Sequence, residues 1–154
     1  EELEAVPNIY IDGSYMQHNS FSGYGFVVEL KGEIVAKDCG VILDYDIINL
    51  HSAGAELYAF IRALEWSLAN GYTLIRIIYD SNMIAALLDN NYVPKEQDSY
   101  AKTKLINLYD QYKTLLTIQH NHKNEKNIYT SYHQAAHDLS RLLSDVRKVQ
   151  ASKM

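Results

Sequence analysis

Four carboxylates stand where a folded backbone could gather them: Asp12, Glu56, Asp80 and Asp138. Asp12 closes the apolar run Asn8-Ile9-Tyr10-Ile11 and is followed by Gly13-Ser14. Asp80 closes a second run, Leu74 to Tyr79, and is followed by Ser81. Glu56 opens a long helical stretch and Asp138 lies within the last one. Acids at the ends of two strands and on two helices point to a metal site at one sheet edge. Clustered carboxylates repel and are costly to keep ionised unless a cation neutralises them. All-oxygen donors suit hard ions such as Mg²⁺ or Mn²⁺. Several of them can hold two ions, which would activate a water and stabilise the leaving oxygen of a phosphodiester. No Cys/His cluster has zinc spacing, and no Gly-rich phosphate loop is present.

These side chains need a frame. Residues 8–16 read as a buried strand, residues 22–30 as a second and residues 33–42 as a third, with Lys31-Gly32 as the tight turn between the last two. Residues 52–70 change period: Leu57, Ile61, Leu64 and Leu68 recur at helical spacing, and Asn70-Gly71 stops the helix. A strand over 73–79, a helix over 82–90 and a helix over 97–113 follow. Residues 114–120 read as a fifth strand, then a polar loop from Asn121 to about Tyr129. The last helix spans about 131–149, with Ala135, Leu139, Leu142, Leu143 and Val146 as its apolar stripe. The order βββαβααβα makes an α/β fold, a mixed five-stranded sheet with helices on both faces. Residues 8–150 form one domain, and residues 1–7 an extension or linker.

If the first and fourth strands are parallel neighbours, Asp12 and Asp80 face the same crevice at their C-terminal ends. Glu56 alone reads as a helix N-terminal acid favoured by the macrodipole. Beside Asp12 and Asp80 it reads as a third member of the site.

Composition sets outer bounds. The chain has 154 residues, 47% of them hydrophobic, enough for one cored domain. Its one cysteine, Cys39, excludes an internal disulfide and fits a reducing compartment, hence a cytoplasmic location. No apolar run is long enough to span a bilayer. The net charge of −5 argues against a general nucleic-acid-binding field, although a polyphosphate could still bind through metal and local amides. Thirteen tyrosines read as packing.

These pieces resemble type 1 ribonuclease H, over almost the whole chain. The matching segments are Tyr10-Ile11-Asp12-Gly13-Ser14, Gly23-Tyr24-Gly25-Phe26-Val27-Val28, Ala55-Glu56-Leu57 with Ala63-Leu64, Ile78-Tyr79-Asp80-Ser81 and Ala136-His137-Asp138-Leu139-Ser140. The resemblance implies an endonuclease that cleaves the RNA strand of RNA–DNA hybrids with two Mg²⁺ ions, Mn²⁺ being a possible substitute, and leaves 5′-phosphates. It implies that Asp12 bridges both ions, and that Glu56 and Asp80 hold one, with Glu56 also near the RNA ribose. Asp138 would hold the ion that activates water. A mobile-loop histidine, for which His122 is the candidate, would assist proton movement and product release. Gly13, Ser14, Ser52 and Ser81 would contact substrate, with 2′-hydroxyls read in the minor groove. A monomer is expected. The first residue is not Met, which fits an upstream hybrid-binding domain in a longer protein.

The chain departs from the family pattern in three places. Ser52 and Ala53 stand where asparagines usually read the minor groove. Residues 89–96 are short and not basic where many members carry a basic protrusion. Near the C-terminus, His120-Asn121-His122 and Gln134-Ala135 replace the usual Gly-His and Asn-Glu pairs. His120, His133 and His137 therefore compete with His122. His137, one residue before Asp138, is expected to point about 100° away from the site. Weak hybrid affinity follows, and two other readings stay open: a catalytically weakened binding domain for nucleic acid or protein, and a DNA nuclease of the same superfamily.

Overall fold

A computed structural model describes residues 6–16, 21–90, 92, 100–122 and 130–153, with side chains at all of these except 130 and 143–153. The elements are β1 (Asn8–Met16), β2 (Phe21–Leu30), β3 (Glu33–Val41), α1 (Tyr45–Ile48), α2 (His51–Ala69), β4 (Leu74–Tyr79), α3 (Asn82–Leu88), α4 (Tyr100–Tyr112), β5 (Thr117–His122) and α5 (Thr130–Lys153). The five strands lie in the order β3-β2-β1-β4-β5. β1, β2 and β3 form an antiparallel meander, and β4 and β5 join it in parallel. This is the expected mixed sheet.

Local chemistry explains the joints. Lys31 and Gly32 take φ of 54° and 84°, the two positive values a type I′ hairpin requires. α2 ends where the Gly71 amide donates to Leu68 O and the Tyr72 amide to Ser67 O, a Schellman closure with Gly71 at φ 78°. The short α1 was not expected. It is one turn, capped by the Asp44 carboxylate on the Asp46 amide, and too brief to show a period.

Alternation along the strands gives each face its own helices. Ile9, Ile11, Phe26 and Val28 pack with Leu57, Phe60, Ala63 and Leu64 of α2 in the main core. Tyr10, Val27 and Ile78 point the other way and pack with Ala136 of α5. The strand expected over 114–120 lies at Thr117–His122, so its last two residues, Asn121 and His122, belong to the sheet and not to the loop. The rest of that loop (123–129) and most of the segment expected as a non-basic protrusion (91 and 93–96) lie outside the described residues, as do residues 1–5.

Candidate active site

β1 and β4 run parallel with Tyr10 level with Ile78. Asp12 and Asp80, each two residues further on, therefore reach the same level on neighbouring strands about 4.8 Å apart. α2 brings Glu56 to them through Gly13. A Cβ at Gly13 would stand 2.4 Å from the Ala55 carbonyl carbon and 2.5 Å from the Glu56 nitrogen. Only hydrogen fits there, which is how the start of α2 approaches the middle of β1.

Asp12 is 6% exposed and Glu56 8%. The Gly13 amide donates to Asp12 Oδ1 at 2.9 Å. Burial pushes the Glu56 carboxyl well above the usual carboxylate range. A hydrogen bond with Asp12 and the charges of Asp12 and Asp80 push it the same way, while the Gly13 amide opposes. Among the described residues, Glu56 Oε2 has no hydrogen-bond partner. A buried, orphaned carboxylate oxygen beside two further acids is a donor set that a hard divalent ion would satisfy, so these residues fit such an ion. Among the described residues no three His, Cys, Asp or Glu side chains are grouped closely enough to enclose an ion.

α5 differs from the expectation. Among its described side chains the buried ones are His133, Ala136 and Ser140; of the expected stripe, Ala135 and Leu139 pack beside them against the sheet, Leu142 is 47% exposed, and Leu143 and Val146 lie outside the described side chains. Small residues face the sheet because β2 meets α5 at glycines. A Cβ on Gly23 would stand 2.2 Å from Ser140 O, and one on Gly25 2.7 Å from Ala136 O and from Ser140 N. Ser14 Oγ donates to Ser140 O at 2.7 Å. This rotation carries Asp138 to the exposed side, where its carboxylate accepts from Gln134 Nε2 at 2.9 Å. It carries His137 to the acids: Nδ1 lies 2.8 Å from Asp12 Oδ2. The expectation that His137 points away from the site is thus corrected. His133, one turn earlier, has Nε2 3.9 Å from the same oxygen. A signal was present in the sequence: the buried face follows Ala136 and Ser140, which match Gly25 and Gly23 in size.

The other candidates divide. His122 closes β5 opposite Tyr79, with Nε2 3.8 Å from Asp80 Oδ1 and its ring edge-on to Tyr79. It reaches the site from a strand end and not, as expected, from a loop. His120 turns instead to Asp89, at 3.5 Å. The Ser14 hydroxyl is buried and spent on α5, which removes it from the substrate-contact set. Ser81 caps α3, its Oγ accepting from the Met83 amide at 3.2 Å. Ser52 is exposed in the first turn of α2.

No protein-family model and no curated protein sequence matches the chain. Solved structures do. The N-terminal ribonuclease H domain of a Mycobacterium tuberculosis protein, studied fused to maltose binding protein, superposes with a TM-score of 0.74 at 16% identity, covering 96% of this chain and 99% of that one. Ribonuclease H1 of the halophilic archaeon Halobacterium salinarum gives 0.71 at 19% identity, over 90% of this chain and 98% of that one. The ribonuclease H1 designated LC11, in complex with an RNA/DNA hybrid, gives 0.68 at 19% identity, over 86% and 92%. With its strand order, its crossover helices and these superpositions over nearly its whole length, the chain has the ribonuclease H fold.

Proposed function

We propose that this protein is a metal-dependent endoribonuclease that hydrolyses the RNA strand of RNA–DNA hybrids. One observation carries the reading: Glu56, buried beside Asp12 and within the field of Asp80, keeps an oxygen without a hydrogen-bond partner among the described residues. A protein gains nothing from that arrangement unless a cation completes it. The shared fold with ribonuclease H1 domains, one of them in complex with an RNA/DNA hybrid, supports the substrate class.

When bound, a pair of Mg²⁺ ions, or Mn²⁺ in their place, supplies an activated water and charge neutralisation for an in-line displacement. Asp12 would hold both ions, and Glu56 and Asp80 one of them. α5 completes the set. His122, with Nε2 beside Asp80 Oδ1, holds a proton for the departing oxygen. Ser52, exposed in the first turn of α2, offers its hydroxyl to the nucleic-acid backbone, the Gly13 amide being held by the acids, and 2′-hydroxyl contacts separate RNA from DNA. A net charge of −5 makes the chain's own grip on a hybrid weak, so an additional hybrid-binding domain would raise affinity. The proposed setting is a cytoplasmic monomer.

The test is cleavage of a hybrid labelled on each strand, in Mg²⁺ and separately in Mn²⁺. RNA fragments with 5′-phosphates are expected. No RNA cleavage in either metal refutes the proposal. Preference for DNA alone would move the assignment to a DNA nuclease.

A further inference from the structure

We propose that α5 contributes His137, and not Asp138, to the acidic site, as a nitrogen ligand to the divalent ion; this rests on the metal-site reading above. His137 Nδ1 is 2.8 Å from Asp12 Oδ2. Two donors on adjacent corners of an octahedral ion with bonds of about 2.1 Å stand about 3.0 Å apart, so this pair is already spaced to share one. The His137 side chain is 40% exposed, which leaves its ring open to an arriving ion, whereas Asp12 is at 8%.

Asp138 cannot replace it without turning the helix. Neighbouring residues on a helix project about 100° apart. The rotation of α5 is held by the bond from Ser14 Oγ to Ser140 O and by Ala136 and Ser140 seated on Gly25 and Gly23, where not even a methyl group fits. The Ser140 hydroxyl also donates to His137 O at 2.7 Å, fastening the turn that carries the imidazole. Asp138 already has a partner on the exposed side, in Gln134.

The exchange has a chemical consequence. Imidazole is a softer donor than carboxylate and favours later divalent ions, so an Asp–Glu–Asp–His set holds Mn²⁺ in preference to Mg²⁺ more strongly than four carboxylates do. It also lowers the negative charge that Mg²⁺ depends on.

Mn²⁺ binding to the whole chain can be read without substrate, from the free-ion electron paramagnetic resonance signal and from broadening of histidine ring resonances. The wild-type chain should bind Mn²⁺ and lose the His137 ring signals first. His137→Ala should weaken Mn²⁺ binding at least about tenfold, and Asp138→Asn should leave it within about twofold. His137→Asp, which keeps a ligand, should retain binding but shift the Mn²⁺-to-Mg²⁺ preference toward Mg²⁺ by about tenfold. Tenfold loss in Asp138→Asn with wild-type affinity in His137→Ala overturns this inference and leaves the metal site standing. A wild-type chain that binds neither ion overturns both.

Discussion

Replacing Gly25 with alanine is the sharpest test of how α5 is seated. Gly25 pairs with Asp12 across β1 and β2, so it lies directly beneath the helix turn that carries His137. An added Cβ would stand 2.7 Å from Ala136 O and Ser140 N and 2.9 Å from Leu139 Cβ. Ordinary carbon–oxygen contact begins at about 3.3 Å. The helix must therefore lift by about 0.6 Å, because the first two neighbours are backbone and no side chain can swing aside. Overpacking of this kind costs about 1–3 kcal/mol. For a chain of this size that lowers Tm by roughly 2–12 °C. The lift also takes His137 Nδ1 from 2.8 Å to about the limit of a hydrogen bond with Asp12. A displacement near 1 Å at a catalytic group costs up to about 10²-fold in rate. Thermal melts and hybrid cleavage measured side by side give both numbers. Gly32→Ala is the control: Gly32 has φ 84° and open space around it, so the methyl group costs about 1–2 kcal/mol of backbone strain but moves nothing near the site. Comparable melting losses with activity lost only in Gly25→Ala are expected. Wild-type Tm and wild-type cleavage in Gly25→Ala would refute the reasoning.

The remaining predictions follow from single contacts. Glu56→Gln should stabilise the metal-free protein by about 1–3 kcal/mol at pH above the folded value of this carboxyl, since it removes the cost of ionising a buried oxygen and its amide can donate to Asp12. The Glu56 carboxyl is raised in the folded state, so its contribution is fully present below the ordinary carboxylate range and is lost as pH rises through the folded value. Wild-type melts should accordingly gain on acidification relative to Glu56→Gln, and parallel pH profiles would contradict this. Asp80→Asn should reduce hybrid cleavage by about 10²-fold or more with Tm within about 1–2 °C, because the side chain is 39% exposed and serves the site more than the core. Ser14→Ala should lower stability by about 1–3 kcal/mol and leave KM for hybrid within about twofold, since its hydroxyl is committed to Ser140 O. A raised KM at unchanged Tm would return Ser14 to the substrate surface.

Local pattern reached a long way into this fold. The alternation around Ile9 and Ile11 and the run from Leu74 to Tyr79 place two strands with Asp12 and Asp80 just past their last parallel pair, because burial on both faces of a parallel pair needs near-continuous apolar residues. The Leu57–Leu64 spacing and the Asn70-Gly71 stop place α2, and Glu56 with it, because helix period and closure are read within a few residues. β5 was displaced by two to three residues, since Thr114 to His120 is β-prone throughout and only pairing with β4 sets the register, Leu74 to Thr117 and Tyr79 to His122. That shift moved His122 from a loop to a strand end beside Asp80.

What the sequence by itself determined is therefore the frame and three of its acids: the order of elements, and Asp12, Glu56 and Asp80 where β1, α2 and β4 meet. What only the tertiary structure decided is which group of α5 faces them. Helix period alone leaves the rotation of α5 open by about one residue step, since Ala135, Ala136, Leu139 and Ser140 all border its packed side. The choice is made by Gly23, Gly25 and Ser14, more than a hundred residues away, which accept small residues at backbone contact and hold Ser140 by a hydrogen bond. Close packing of distant segments sets that angle, and with it places His137 at Asp12 and Asp138 on the exposed side.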